Sequence, residues 1–272
     1  RNRRDAQGGD GMKRILITGK GSYIGTSFRK YLEKYPQEYQ VRELDMMGEG
    51  WREHDFSQYD VVYHVAGIAH IKEKKENEAL YYKVNRDLVL EVAKKAKEAG
   101  VKQFVFMSSM SVYGLNHSKL PITRESECHP NTYYGKSKLE AEKLIQNLEY
   151  SEFKVCILRP PMVYGKDAPG NLNKLFKAVR SVHVFPTIRN KRSSITVEKL
   201  VKEVKRYVDE EARGIYYPQN DEYMCTYETV KEKMEEEGVC VVYTSFFNPL
   251  IRLLIGRVGL ITKCFGDLVY EK

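Results

Sequence analysis

The 272-residue chain predicts an α/β fold, a doubly wound parallel sheet followed by a small C-terminal lobe. Three observations lead there. Five short apolar runs, RILITG, YQVRELD, DVVYHVAG, QFVFMSS and KVCILRP, are rich in Val, Ile, Phe and Leu, as suits strands covered on both faces. Amphipathic stretches separate them. The clearest spans residues 76–100, where Leu80, Val84, Leu88 and Val92 recur every fourth residue and Gly100 stands where a C-terminal cap belongs. The third observation is a glycine-rich turn placed directly after the first run.

That turn reads Thr18-Gly19-Lys20-Gly21-Ser22-Tyr23-Ile24-Gly25 and opens a helical stretch. Glycines let the backbone turn tightly and come close to a pyrophosphate, which the N–H groups and positive dipole end of the helix then hold. Asp45 follows twenty residues after Gly25, at the end of the second run. A carboxylate there accepts the ribose hydroxyls and repels a 2′-phosphate, so NAD is the expected cofactor. Arg42 and Arg52 lie close enough in sequence to keep NADP as the alternative. The first half is therefore a Rossmann-type dinucleotide-binding domain, residues 12–165, with a returning segment at about 195–218. After Pro161 the rhythm loosens, with Gly165, Pro169, Gly170 and Pro186 in loop-like segments. Residues 166–194 and 219–272 are assigned to the lobe, which is expected to be truncated because the chain stops abruptly at FGDLVYEK. Residues 1–11, RNRRDAQGGDG, are read as a tail or expression remnant.

Composition narrows the function classes. With 42% hydrophobic and 30% charged residues the chain is a folded globular protein, not a disordered one. The net charge of +8 owes part to Arg1, Arg3 and Arg4, and no basic block carries interleaved aromatics, so no nucleic-acid partner is expected. Five cysteines without a CxxC spacing point to reduced thiols in a cytoplasmic protein, and to neither a disulfide framework nor a metal site. The most apolar stretch, 246–262, is interrupted by Arg252 and Arg257 and does not read as a membrane span. It is expected to pack on the lobe, with a position on a membrane surface as the alternative.

Tyr134-Gly135-Lys136-Ser137-Lys138 places a phenol and an ammonium four apart, on one face of a helix. A phenol is a poor base at neutral pH unless a neighbouring cation favours its ionised form. Ser109, 25 residues upstream in SSMSVYG, ends the fourth run, where side chains of an open α/β sheet meet the ligand crevice; Ser111 is its nearest competitor. Tyr134 and Lys138, with a hydroxyl from this segment, form the expected catalytic group for hydride transfer at a carbinol carbon.

These motifs together resemble the extended short-chain dehydrogenases, the NAD-dependent nucleotide-sugar epimerase and dehydratase family. TGKGSYIG is similar to the family's TGxxGxxG turn, with the middle glycine one place early and Ser22 in its position. The resemblance implies that Gly19, Gly21, Ser22, Tyr23, Ile24 and Gly25 hold the pyrophosphate. It places Asp55 of HDF near the adenine, Val65, Ala66 and Gly67 along the cofactor and Asn85 toward the nicotinamide, with Phe56 and Pro160 as further cofactor contacts. SSMSVYG resembles the family's SSxxVYG segment, which implies that Ser109 completes the catalytic group with Tyr134 and Lys138 by binding the reacting oxygen, and Lys138 then also holds the nicotinamide ribose. RPPMVYG resembles the RPxxVYG segment, with Met162 where many relatives have asparagine. Met162, Ser111, Asn171 and Arg192 become the substrate contacts, Arg192 pairing with a diphosphate. Glu198-Lys199 stands where relatives carry an anchoring aspartate. The implied activity is 4-epimerisation of a UDP-sugar. The alternatives are an NAD(P)H-dependent reductase of a UDP-4-keto-6-deoxy-hexosamine and a non-catalytic dinucleotide-binding scaffold. A homodimer is implied by the same resemblance.

Overall fold

A computed structural model describes residues 11–69 and 73–272, so the tail read over 1–11 lies outside the described residues except at Gly11. The five apolar runs form β1 (Lys13–Thr18), β2 (Tyr39–Leu44), β3 (Val61–His64), β4 (Gln103–Met107) and β5 (Lys154–Leu158). Between them lie α1 (Tyr23–Leu32), the helical segments α2 (Glu78–Tyr82) and α3 (Leu88–Glu98), and α4 (Tyr133–Gln146). Then follow β6 (Met162–Tyr164), α5 (Asn171–Val182), β7 (Val184–Pro186), β8 (Ser194–Thr196), α6 (Val197–Asp209) and β9 (Gly214–Tyr216). The remaining elements are α7 (Thr226–Glu236), β10 (Val242–Thr244), α8 (Asn248–Leu254) and α9 (Gly259–Phe265). The region after Pro161 is thus more regular than its glycines and prolines suggest, because α5 and α7 bury Phe176, Val179, Val230 and Met234 against each other's lobe core.

The main sheet has six parallel strands in the order β2-β1-β3-β4-β5-β9. Ile15 lies opposite Val41 on one side and Val61 on the other. Alternation along each strand splits the core in two. Ile15, Ile17, Val61, Tyr63, Val105 and Cys156 face α1 and α6, where Phe28, Leu32, Leu200 and Val204 cover them. Leu16, Val62, Phe104, Phe106, Val155 and Ile157 face α3 and α4, under Val92, Ala93, Ala96, Ala141 and Ile145. Both faces being covered is why the strands read as unbroken apolar runs. The chain leaves β1 for β2 on one side and returns to β3 on the other, which opens a crevice at the C-terminal ends of β1 and β3.

The helical stripe expected over 76–100 needs one correction. The inward residues are Tyr81, Asn85 and Val89, one place along from the expected set, and Leu80 is exposed. The offset is already present at Tyr81, before the π-turn over Lys83–Asp87, and the extra residue of that turn keeps the four-residue set Tyr81, Asn85, Val89 and Ala93 on the inner side. Val92 then falls on the buried side as expected, and Gly100 follows the helix end in a left-handed conformation.

Helix α4, which carries Tyr134 and Lys138, is bound to the sheet by a buried ion pair. Arg159, just past β5, holds Glu142 with its Nε (3.1 Å to Oε1) and Nη2 (2.6 Å to Oε2). Ser108 Oγ donates to the same carboxylate, and Arg159 Nη1 donates to the Tyr113 hydroxyl at 2.9 Å. Removing one partner of such a pair strands a buried charge. Arg159→Met is therefore expected to cost about 3–5 kcal/mol in urea unfolding, and pairing it with Glu142→Leu to return much of that loss.

Candidate active site

The glycine turn shapes the floor of the crevice. Gly19 has φ +115°, and a Cβ there would lie 2.9 Å from the Ala66 backbone nitrogen, so only glycine lets β1 and β3 approach this closely. A Cβ on Gly25 would meet Ile17 Cγ2 and Val65 Cγ2 at 3.0 Å, which sets how closely α1 packs on the sheet. Ser22 caps α1, its Oγ accepting from Gly25 N at 3.2 Å. That role explains how serine serves at this place. The amides of Tyr23 and Ile24 begin the helix and have no intrahelical acceptor, as an anion site requires. This narrow turn, aimed from a helix N-terminus into the switch-point crevice, fits a dinucleotide pyrophosphate.

The remaining cofactor candidates lie along the same edge. Asp45 follows β2 directly, exposed, its Oδ1 accepting from Met47 N at 2.9 Å. The amides of Gly19 and Lys20 donate to Leu44 O beside it, which holds Asp45 next to the turn. Asp55 is exposed and accepts from Ser57, and those hydrogen bonds hold its carboxyl below the usual range. Phe56 is buried under α3 with Trp51 and Tyr59, leaving only its backbone to face a ligand. Val65 and Ala66 both donate their amides to Thr18 O. Asn85, fully buried in the π-turn, clasps Ile68 by accepting from its N and donating to its O, both at 2.9 Å. It thereby fixes the strand exit that includes Gly67. Pro160 O accepts from Met110 N at 3.0 Å, which puts it beside Ser109.

Ser109, Tyr134 and Lys138 converge at the end of β4. Ser109 caps the short turn Met110–Tyr113, and its Oγ donates to Ser111 Oγ at 3.1 Å. Burial raises the Tyr134 phenol above its ordinary value, and a hydrogen bond with the Ser109 side chain opposes that shift. Lys138 is buried, donates to Met107 O at 2.8 Å and sits 4.6 Å over the Phe106 ring. Burial brings its ammonium down to about 8, with the Glu142 carboxylate opposing. Lys136, between them in sequence, points to solvent. Ser109 can orient a substrate oxygen, Tyr134 can take or return its proton, and Lys138 can favour the phenolate. NAD(P), when bound, supplies the hydride acceptor and donor.

Spacing along the chain gave no signal for two groups at this site. His64, on β3, is fully buried beside Lys138, with Nδ1 2.7 Å from Thr18 Oγ1. Burial first, and the Lys138 charge second, lower it to about 3, so it stands as a neutral imidazole. Glu73 accepts from Tyr134 N at 3.0 Å and so caps α4 from 61 residues away.

The substrate candidates are dispersed along the lobe side. Met162 is half-buried in β6, opposite Ser194. Asn171 is exposed at the first position of α5. Arg192 donates from Nη1 to Gly266 O at 2.8 Å, and burial lowers its guanidinium below its usual value. A half-buried arginine with a carbonyl for its partner suits a diphosphate. The segment leading to Glu198-Lys199 is anchored by Thr196, which caps α6 by accepting from Lys199 N and whose amide donates to Asn220 Oδ1 at 3.3 Å.

The family model for the NAD dependent epimerase/dehydratase family matches residues 15–214. The chain is similar to the UDP-glucose 4-epimerase of Vibrio cholerae, 31% identical over 244 residues that cover 81% of this chain and 74% of that protein. It is also similar to the GDP-6-deoxy-D-mannose reductase of Pseudomonas aeruginosa, 29% identical over 54% of this chain and 51% of that one. Against several such relatives it therefore spans about half their length. The fold is similar to that of the UDP-glucuronic acid 4-epimerase from Bacillus cereus solved in complex with NAD, with a TM-score of 0.71 at 18% identity, covering 85% of each chain. Among the described residues no helix is long and apolar enough to cross a membrane.

The Lys138 ammonium gives a pH dependence of known sign. It binds a proton more weakly when folded, at about 8, than at its ordinary 10.5, so between these values the unfolded chain holds more protons. The penalty is fully present below pH 8, and stability rises as pH climbs from about 8 to about 10.5. Urea unfolding across that window is expected to show a gain on the order of 3 kcal/mol for the native chain relative to Lys138→Met.

Proposed function

Because the chain belongs to the NAD dependent epimerase/dehydratase family, we propose that it is a nucleotide-diphosphate-sugar 4-epimerase, with a UDP-sugar as its first candidate substrate. The observation that carries the reading is the convergence of Ser109, Tyr134 and Lys138 at the end of β4, beside the β1–β3 crevice. Likeness to the Vibrio cholerae epimerase over most of the chain supports the sugar-nucleotide class. In this reading Tyr134 takes the C4 hydroxyl proton as the hydride leaves and returns it after the 4-keto sugar has turned its other face. Ser109 holds the oxygen throughout, and Arg192 holds the diphosphate.

The cofactor proposed is NAD, not NADP. Arg52 is paired with Glu49 and Glu91 and lies over the Trp51 ring, and Arg42 is engaged with Tyr59, so neither arginine stands free for a 2′-phosphate. Asp45 remains exposed at the strand end, where a ribose hydroxyl would meet it.

A 4-keto reductase is the second reading, favoured by the likeness to the Pseudomonas aeruginosa reductase, and it uses the same three residues. The purified protein separates the two when it is denatured and the released cofactor assayed. Retained NAD, with no net consumption during turnover, supports the epimerase; an empty site that oxidises added NAD(P)H supports the reductase. Failure to bind either dinucleotide would overturn both.

Two substitutions follow. Tyr134→Phe is expected to keep cofactor binding within about twofold and lower kcat by at least about 10²-fold, the scale of a lost general acid–base group; retained turnover would sink its assignment. Asp45→Ala is expected to weaken NAD about tenfold in a fluorescence titration, near the worth of one charged hydrogen bond, without weakening NADP.

A further inference from the structure

The α8–α9 segment carries an outward face that the lobe does not use. Its inner side, Ile251, Ile255, Ile261 and Phe265, leans on the lobe core. On the outer side Phe246, Leu250, Leu253 and Leu260 are 81, 57, 58 and 76% exposed, and α8 buries none of its side chains completely. Phe247, 45% exposed, sets its ring edge-on to Phe246 at 5.0 Å. Single exposed leucines are ordinary on a protein surface; five large apolar groups within fifteen residues mark an interaction site.

Charge on this stretch is one-sided. Residues 246–266 contain Arg252, Arg257 and Lys263, all exposed, and no Asp or Glu. Other surface helices differ: Arg206 on α6 meets Glu203 and Glu210, and Lys233 on α7 meets Glu236 and Glu237. An apolar face set among unopposed cations complements a surface that is apolar below and anionic above, which is the boundary of a bilayer containing acidic lipids. Two copies of this face brought together would crowd six cations with no acid from the stretch between them. Seven residues give α8 a length of about 10 Å, a third of a bilayer core, so it can lie in the interface and not cross it.

We infer that the α8–α9 face docks on the surface of an anionic bilayer, with Phe246, Leu250, Leu253 and Leu260 at the headgroup–acyl boundary and Arg252, Arg257 and Lys263 at the level of the lipid phosphates. The docked segment is tied to the substrate side of the lobe, because Gly266, directly after α9, accepts from Arg192. Docking depends on this face alone and stands apart from the choice between epimerase and reductase.

The test is co-sedimentation of the full chain with phosphatidylcholine vesicles, with and without phosphatidylglycerol. The chain is expected to bind the mixed vesicles at least about tenfold more strongly than the neutral ones, and to be released by raised salt. Leu250→Ser/Leu253→Ser and, separately, Arg252→Gln/Arg257→Gln are each expected to lower that binding about tenfold or more. Both changes are at exposed sites, and unchanged thermal unfolding verifies that the fold is intact. No binding to the mixed vesicles at low salt would overturn the proposal, as would binding that neither variant weakens. A shift in oligomeric state on light scattering with Leu250→Ser/Leu253→Ser, without vesicle binding by the parent chain, would assign the face to a protein partner instead.

Discussion

A buried ammonium organises the centre of this molecule. Lys138 is held by Met107 O at the end of β4, lies on the Phe106 ring, and sits one helical turn from the Glu142 carboxylate. A cation taken out of water needs a fixed set of partners, since any slack leaves its desolvation uncompensated. Glu142 in turn needs Arg159, which reaches Tyr113, and through its carbonyl the Tyr270 hydroxyl from the C-terminal segment. One chain of charges and hydroxyls therefore joins α4, the ends of β4 and β5, and the C-terminal segment at Tyr270. Tyr134, on the same face of α4, inherits its position from that network.

The crevice depends on a second constraint, the covering of both sheet faces. With α1 and α6 on one side and α3 and α4 on the other, no strand face remains for a ligand, so binding falls to the strand ends. At β1 and β3 those ends come together only because Gly19 has no Cβ to meet Ala66. The π-turn at Asn85 belongs to the same design: it keeps this polar side chain inward, where it holds Ile68 and lies 3.4 Å from Ser137 on α4. The glycine turn, the strand exit at Gly67 and α4 are thus set relative to one another by backbone contacts and short polar links.

Much of this was legible from residue order. The strands were readable because burial on both sides makes their composition uniformly apolar, and the glycine turn because its function demands particular residue types at particular intervals. Leu80 shows the limit: an apolar repeat does not say which of two neighbouring residues faces inward, and Tyr81, packed against Tyr133, took the inner place. The regions around Pro169 and Pro186 show another, since short elements of a small lobe are held by their packing on Phe176, Val179 and Met234 and carry little pattern of their own.

Residue order by itself determined the alternation of strands and helices, the glycine turn, and the local pair Tyr134 and Lys138, because each is a matter of spacing within one element. Tertiary structure alone decided that Glu73 caps α4, that His64 stands neutral beside Lys138, that Phe56 is spent in the core, and that the α8–α9 face is left uncovered. Those outcomes depend on distances between residues far apart in sequence and on how much water each is denied. Neither quantity is written in any single stretch of the chain.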